Sequence, residues 1–276
     1  MADARDLYLD LLARCLLDAV YENEAGAQRP TQRAPRLLRA AAALVSVNVL
    51  GRDVQVRGQL ADFDARQRWK GPVWPRRAHT MVGEAGLANI RQCIEDVLAR
   101  DVPGDLIETG VWRGGASIFM RGVLKAHEVT DRRVWVADSF QGLPPPDPAV
   151  AQDRGSIAHV FEDLRVSRQQ VEENFRRYGL LDEQVCFLEG WFADTLPEAP
   201  IERLAVMRLD GDMYASTMDA LRALYPRLSI GGYVIIDDYG ALQECRAAVE
   251  DYRRELAIED PLHSFDAIGR WWQRSR

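Results

Sequence analysis

From Val102 onward this 276-residue chain alternates short apolar runs with amphipathic segments, and the apolar runs end in acids. DLIETG (105–110), RVWVADSF (133–140), VCFLEGWF (185–192), LAVMRLD (204–210) and GGYVIIDDYG (231–240) read as strands. Between them, residues 115–126, 167–179, 216–228 and 244–256 carry helical spacing. Ser167 is suited to an N-cap and Gly179 to a helix stop. Strands alternating with helices require a parallel sheet with helices on both faces, and the continuously apolar strands fit that double burial. The tail SFDAIGRWWQR (264–274) is expected to close the sheet, with Trp271 and Trp272 in the core.

The first hundred residues follow another pattern. Helices are expected over 5–21, 36–50 and 84–100, with a polar loop at 22–35 and an irregular Trp- and Pro-containing loop at 69–81. The expected division is a helical cap over 1–100 and a doubly wound α/β domain over 101–276.

Composition removes several functional classes. The net charge is −7, and the nearest basic cluster, RQRWKGPVWPRR (66–77), is broken by Trp and Pro, which argues against a nucleic-acid partner. Cys15, Cys93, Cys186 and Cys245 are far apart and form no CxxC pair, unlike a zinc site or a disulfide framework, and suit a reducing cytoplasm. The N-terminus lacks the basic start and apolar core of a signal peptide, and the most apolar stretch, 41–50, is too short to span a bilayer. The expectation is a soluble cytoplasmic protein with no membrane partner.

Chemistry is expected at the C-terminal strand ends, where open α/β sheets bind ligands. Those ends carry Glu108, Asp138, Glu189, Asp210, and the pair Asp237 and Asp238. Gly110, Gly114 and Gly115 allow the backbone after the first strand to approach a ligand closely, and no Gly-Lys-Ser/Thr follows to make a Walker loop. Such a loop fits dinucleotides, phosphates and S-adenosyl-L-methionine alike. Glu108 would repel a pyrophosphate but suits a cationic methionine moiety, and Asp138 is positioned for ribose hydroxyls. Asp210 and Asp212 follow one strand and Asp237 and Asp238 the next, so the four converge if those strands are neighbours. Converging carboxylates repel unless a cation joins them, and oxygen donors favour a hard ion such as Mg2+. The competing explanation is acids paired with nearby arginines, Arg208 above all. His79 and His159 fall in loops. Trp191 and Phe192 could stack on an adenine or pack in the core.

Taken together these segments resemble the macrocin O-methyltransferase (TylF-like) family, which includes the mycinamicin and novobiocin sugar O-methyltransferases. The resemblance rests on DLYLDLL, AVYEN, RAHTMVG, DLIETGVWRGGASIFMRGVL, VWVADSFQGLPPPD, VEENFRRYGLLDEQVCFLEGWFADTLP, LAVMRLDGDMYASTMDALRALYPRL and GGYVIIDDYG, in family order over most of the chain. It implies a class I methyltransferase with a Rossmann-like, seven-stranded, mostly parallel sheet and an N-terminal helical extension. It also implies S-adenosylmethionine as donor, Mg2+, a sugar hydroxyl of a glycosylated natural product as acceptor, and a homo-oligomer. By motif, Asp210, Asp237 and Asp238 are the implied metal ligands and Asp212 the implied general base, with His159 as the fallback. The implied cofactor pocket comprises Thr80, Met81, Glu108, Thr109, Gly110, Ser117, Asp138, Ser139, Gly190, Trp191, Phe192, Asp194 and Asp210. A cation chelated by two adjacent hydroxyls would favour a vicinal diol. The tail SFDAIGRWWQR and the loop AQDRGSIAHVFEDL depart from the family pattern.

Four other readings stand beside it. LDGDMYAS superficially fits a haloacid-dehalogenase-type phosphatase, but there the motif belongs to an early strand. A metal-binding DxD also occurs in nucleotide-sugar glycosyltransferases. A catechol-type methyltransferase would share the fold and metal but take a phenolic acceptor. A non-catalytic binding module on the same scaffold would not need the intact carboxylate set.

Overall fold

The apolar runs become strands because both of their faces are buried. In the computed structural model, which describes residues 3–20, 65–71 and 74–276, the strands are β1 (Asp105–Thr109), β2 (Val134–Asp138), β3 (Val185–Glu189), β4 (Leu204–Leu209), β5 (Leu228–Ile236), β6 (His263–Ser264) and β7 (Arg270–Gln273). They form one sheet in the order β3-β2-β1-β4-β5-β7-β6. Strands β1 to β5 pair in parallel, and β7 runs antiparallel to both β5 and β6.

Side chains alternate between two hydrophobic clusters, one on each face. Leu106, Val136, Val206 and Ile235 join the first, and Ile107, Trp135, Met207 and Val234 the second. The helices are α1 (Ala4–Leu16), α2 (Ala65–Lys70), α3 (Glu84–Ala99), α4 (Gly115–Ala126), α5 (Arg168–Arg177), α6 (Phe192–Glu198), α7 (Tyr214–Leu224) and α8 (Gln243–Glu255). Helices α1, α3, α4 and α5 bury their apolar stripes in the first cluster, while α6, α7 and α8 bury theirs in the second. The described parts of the first hundred residues therefore share a core with the sheet. Asp3 caps α1 by accepting from the Asp6 amide at 2.8 Å, and Ser167 caps α5 by accepting from that of Gln170 at 3.3 Å.

Local geometry corrects several boundaries. The first helix stops at Leu16 rather than reaching 21, and Asp18 turns to positive φ. Trp69 and Lys70, expected in a loop, end α2. The strand expected over 185–192 stops at Glu189. Gly190, at φ +143°, turns the chain so that Phe192 opens α6. The fifth strand starts earlier, at Leu228, and ends at Ile236, so Asp237 and Asp238 lie just beyond it. The tail closes the sheet as β7, with Trp272 fully buried, while the partly exposed Trp271 stacks on His263 at 4.5 Å. The helix expected over 36–50 lies outside the described residues.

The chain winds from β1 out to β3, then crosses back to place β4 on the other side of β1. That reversal opens a crevice at the C-terminal ends of β1 and β4, the usual ligand position in such sheets.

Candidate active site

Strand register brings the acids together. Glu108 on β1 pairs with Arg208 on β4, and Arg208 pairs with Ile235 on β5, two residues before Asp237. The Arg208 side chain is only 1% exposed. Its Nη1 donates to Glu108 Oε1 at 2.6 Å and to Asp210 Oδ2 at 3.1 Å, and its Nη2 lies 2.5 Å from Asp237 Oδ1. Burial works against that charge, but Asp237, Asp210 and Glu108 outweigh it and hold the guanidinium firmly protonated. The arginine pairing anticipated from the sequence is therefore present.

It does not neutralise the cluster. Asp210, Asp237 and Asp238 each bring an oxygen within 4.8 Å of the other two. Asp238 Oδ2 is buried without a hydrogen-bond partner. Burial first, and neighbouring acids second, push the carboxyls of Asp210 and Asp238 well above the usual range. Oxygen-only donors, surplus negative charge and an orphaned carboxylate oxygen together fit a hard divalent cation. Asp212 stands beside them at φ +53°, a left-handed conformation that aspartate tolerates better than most residues. Burial and then Asp210 raise its carboxyl to about 7.

Gly110 permits this convergence. At φ +78° it brings β1 so close to the end of β4 that an added Cβ would lie 1.9 Å from the Asp210 carbonyl oxygen. Gly115 does the same at the start of α4, where a Cβ would meet the His79 carbonyl at 2.4 Å. The loop before α3 thus lies directly over the glycine turn.

Two cavities meet at these residues, sharing Met81, Gly110, Trp112, Leu164, Asp210 and Asp212. The first, about 260 Å³, is also lined by Asp138, Ser139, Trp191, Phe192 and the segment Gly142–Pro145. The second, about 330 Å³, is also lined by Glu108, Arg208, Asp237, Asp238, Thr80, Trp74, Leu242 and Phe265. Asp138 already accepts from the Val111 amide (2.8 Å) and the Phe140 amide (2.6 Å), so it also ties the β1 and β2 loops together. Burial raises its carboxyl despite those bonds. Ser139 donates to the Gly142 carbonyl at 2.7 Å.

Other sequence candidates sit further back. Ser117 is fully buried, donates to Glu108 Oε2 and lines neither cavity. Thr109 is fully buried in the sheet and also lines neither, as do Gly190 and the exposed Asp194. His159 lies in a 3₁₀ turn outside both linings. His79 meets the Tyr178 hydroxyl through Nδ1 at 2.7 Å, and burial, then Arg113 and Arg177, lower it to about 4. Trp112, the proline loop at 144–145, Trp74 and Phe265 were not anticipated as lining residues. They are apolar, and only packing brings them to the cleft.

Sheet order, the switch-point crevice and the acid-ended strands define a class I methyltransferase fold. The chain belongs to the macrocin O-methyltransferase (TylF) family, whose model matches residues 5–274. It is 49% identical over 272 residues (98% of this chain, 94% of the relative) to the demethyldecarbamoylnovobiocin O-methyltransferase of Streptomyces niveus. It is 50% identical over 277 residues (99% and 94%) to the 8-demethyl-8-(2,3-dimethoxy-alpha-L-rhamnosyl)-tetracenomycin-C 4'-O-methyltransferase of Streptomyces olivaceus. Identity to the mycinamicin III 3''-O-methyltransferase of Micromonospora griseorubida is 46% over 274 residues (98% and 97%). Among solved structures, the O-methyltransferase NovP superposes with a TM-score of 0.81 at 48% identity, covering 99% of this chain and 100% of that one. By family the protein is an O-methyltransferase. No helix among the described residues is long and apolar enough to cross a membrane.

Proposed function

We propose that the protein methylates a sugar hydroxyl of a glycosylated natural product, with S-adenosylmethionine as donor and a divalent cation, Mg2+, held by Asp210, Asp237 and Asp238. The observation that carries this reading is the convergence of those three carboxylates within 4.8 Å where the two cavities join, beside Asp212. When bound, the donor supplies the methyl group and the cation lowers the pKa of a hydroxyl it contacts.

The chain's own residues do the rest. Asp138 accepts hydrogen bonds from a ribose, and Trp191 and Phe192 offer apolar walls to an adenine. Glu108 attracts an ammonium group, while Arg208 and Ser117 fix its two oxygens. Asp212 takes the proton from the attacking hydroxyl, because a carboxyl raised to about 7 is a better base at neutral pH than an ordinary aspartate. Trp74, Leu242 and Phe265 give the larger cavity an apolar wall for the body of the acceptor. Alignment of donor and acceptor in a dry cleft supplies much of the rate.

Isothermal titration calorimetry with S-adenosylhomocysteine, then with Mg2+, tests the reading. Wild-type protein should bind both, and Asp210→Asn should lose the metal site while keeping its fold. An Asp210→Asn enzyme that stays fully active in chelator would sink the cation's role.

A further inference from the structure

The connection between β2 and α5 walls the smaller cavity through Gly142, Leu143, Pro144, Pro145 and Asp147. It contains no strand and no α-helix, only three 3₁₀ turns at Ala151–Asp153, Ala158–Val160 and Glu162–Leu164. Yet it carries a carboxylate, Asp153, that is 0% exposed. Such a group stays buried only when its oxygens are satisfied. Asp153 Oδ1 accepts from the Tyr214 amide at 2.7 Å, and Oδ2 from the Ala215 amide at 3.0 Å.

Those amides are the first two of α7. The helix's own N-cap, Met213, offers no side-chain cap. A carboxylate 61 residues upstream therefore does that work, favoured also by the helix dipole. Immediately before this cap stands Asp212, held at φ +53°. Aspartate tolerates that conformation better than most residues, but still at a cost that the neighbouring structure offsets. Ala215 and Ser216, just inside α7, line the same cavity as the 142–147 segment.

We propose that Asp153 is a positioning residue. Its carboxylate pins the β2–α5 connection onto the turn that carries Asp212, and so sets the wall of the donor cavity and the direction of the base together. The inference rests on reading the smaller cavity as the donor site. A plain helix cap would affect stability alone, whereas a pin also controls donor affinity and access to the connection.

The test uses the full-length protein with Asp153→Ala and Asp153→Asn, and Ser167→Ala as a control that removes a cap outside both cavities. S-adenosylhomocysteine affinity is read by calorimetry. Trypsin cleavage after the exposed Arg154 is read without ligand. Asp153→Ala should weaken S-adenosylhomocysteine about tenfold, and Asp153→Asn, which keeps one acceptor, about threefold. Cleavage after Arg154 should accelerate in both, while Ser167→Ala should match wild type in both readings. Wild-type affinity and cleavage in folded Asp153→Ala would overturn the proposal, as would equal weakening by Ser167→Ala. If Asp153→Ala does not fold, wild-type values in Asp153→Asn overturn it instead. If the wild-type protein itself fails to bind S-adenosylhomocysteine, the donor-site reading falls, and cleavage after Arg154 still decides whether Asp153 pins the connection.

Discussion

Replacing Arg208 with methionine removes the guanidinium from among three acids while leaving a side chain of similar length. The three acids are not equivalent. The side chain of Glu108 is 2% exposed, whereas those of Asp210 and Asp237 are 26% and 25% exposed. Water can hydrate the two aspartates when the arginine is gone, but it reaches Glu108, at the wall of the larger cavity, far less. Its partner Ser117 still donates one hydrogen bond, which is too little for a buried charge. Losing one member of a buried pair costs about 3–5 kcal/mol when the other stays charged. Glu108 can escape that cost by taking a proton, since burial already raises its carboxyl. Its folded pKa in the variant then lies above its unfolded value. The native state holds a proton that the unfolded state has released, so variant stability falls as pH rises. The loss should be small near ~pH 5 and grow by about 1.4 kcal/mol per pH unit, reaching about 3–5 kcal/mol near ~pH 8. Urea denaturation in EDTA, at several pH values, measures it. Arg208→Met/Glu108→Gln should flatten the pH dependence and recover most of the loss. A loss independent of pH, or no recovery in the double variant, would refute the assignment of the cost to Glu108.

Three further outcomes follow from the geometry. His79, lowered from 6.5 to about 4, contributes stability that is present above its unfolded pKa and lost as pH falls from 6.5 towards 4. The full loss is at most about 3 kcal/mol, and His79→Gln should remove that acid-side slope in denaturant titrations. Asp212 accepts a proton only when ionised, so turnover should fall as pH drops below about 7, and a bound dication should move that limb lower. Turnover in Asp212→Asn that matches wild type from ~pH 5 to ~pH 8 would remove Asp212 as base. Gly110→Ala meets the Asp210 carbonyl and an unfavourable φ at once, so it should cost about 2–4 kcal/mol and reduce divalent-ion affinity by displacing Asp210. Thermal denaturation and calorimetry check both parts.

Much of the fold was legible in the sequence because it depends on short-range pattern. Five apolar runs with helical segments between them predicted a doubly wound sheet, and those five form β1 to β5. Acids at the run ends were legible for the same reason, since the residue that leaves a buried strand is the one that meets solvent or ligand. Boundaries failed where a single dihedral overrode the pattern. Gly190 at positive φ ends β3 early, and its effect on Trp191 and Phe192 is invisible in their hydrophobicity.

The sequence by itself determined the strand–helix alternation, the family, and the acids that meet at the strand ends. Only the tertiary structure decided what each acid faces. Arg208 stood out in the sequence as a partner for the nearby acids, but only register set it between Glu108 and Asp237, and Asp153 was one loop acid until the chain folded it under α7. Ser117 and Thr109 fit the family pocket by motif, yet packing leaves them behind the cavity walls. The division has a physical cause. Periodicity and burial act between neighbours in the chain, whereas a buried charge finds its partner across strands and loops far apart in sequence. That pairing exists only once the sheet has closed.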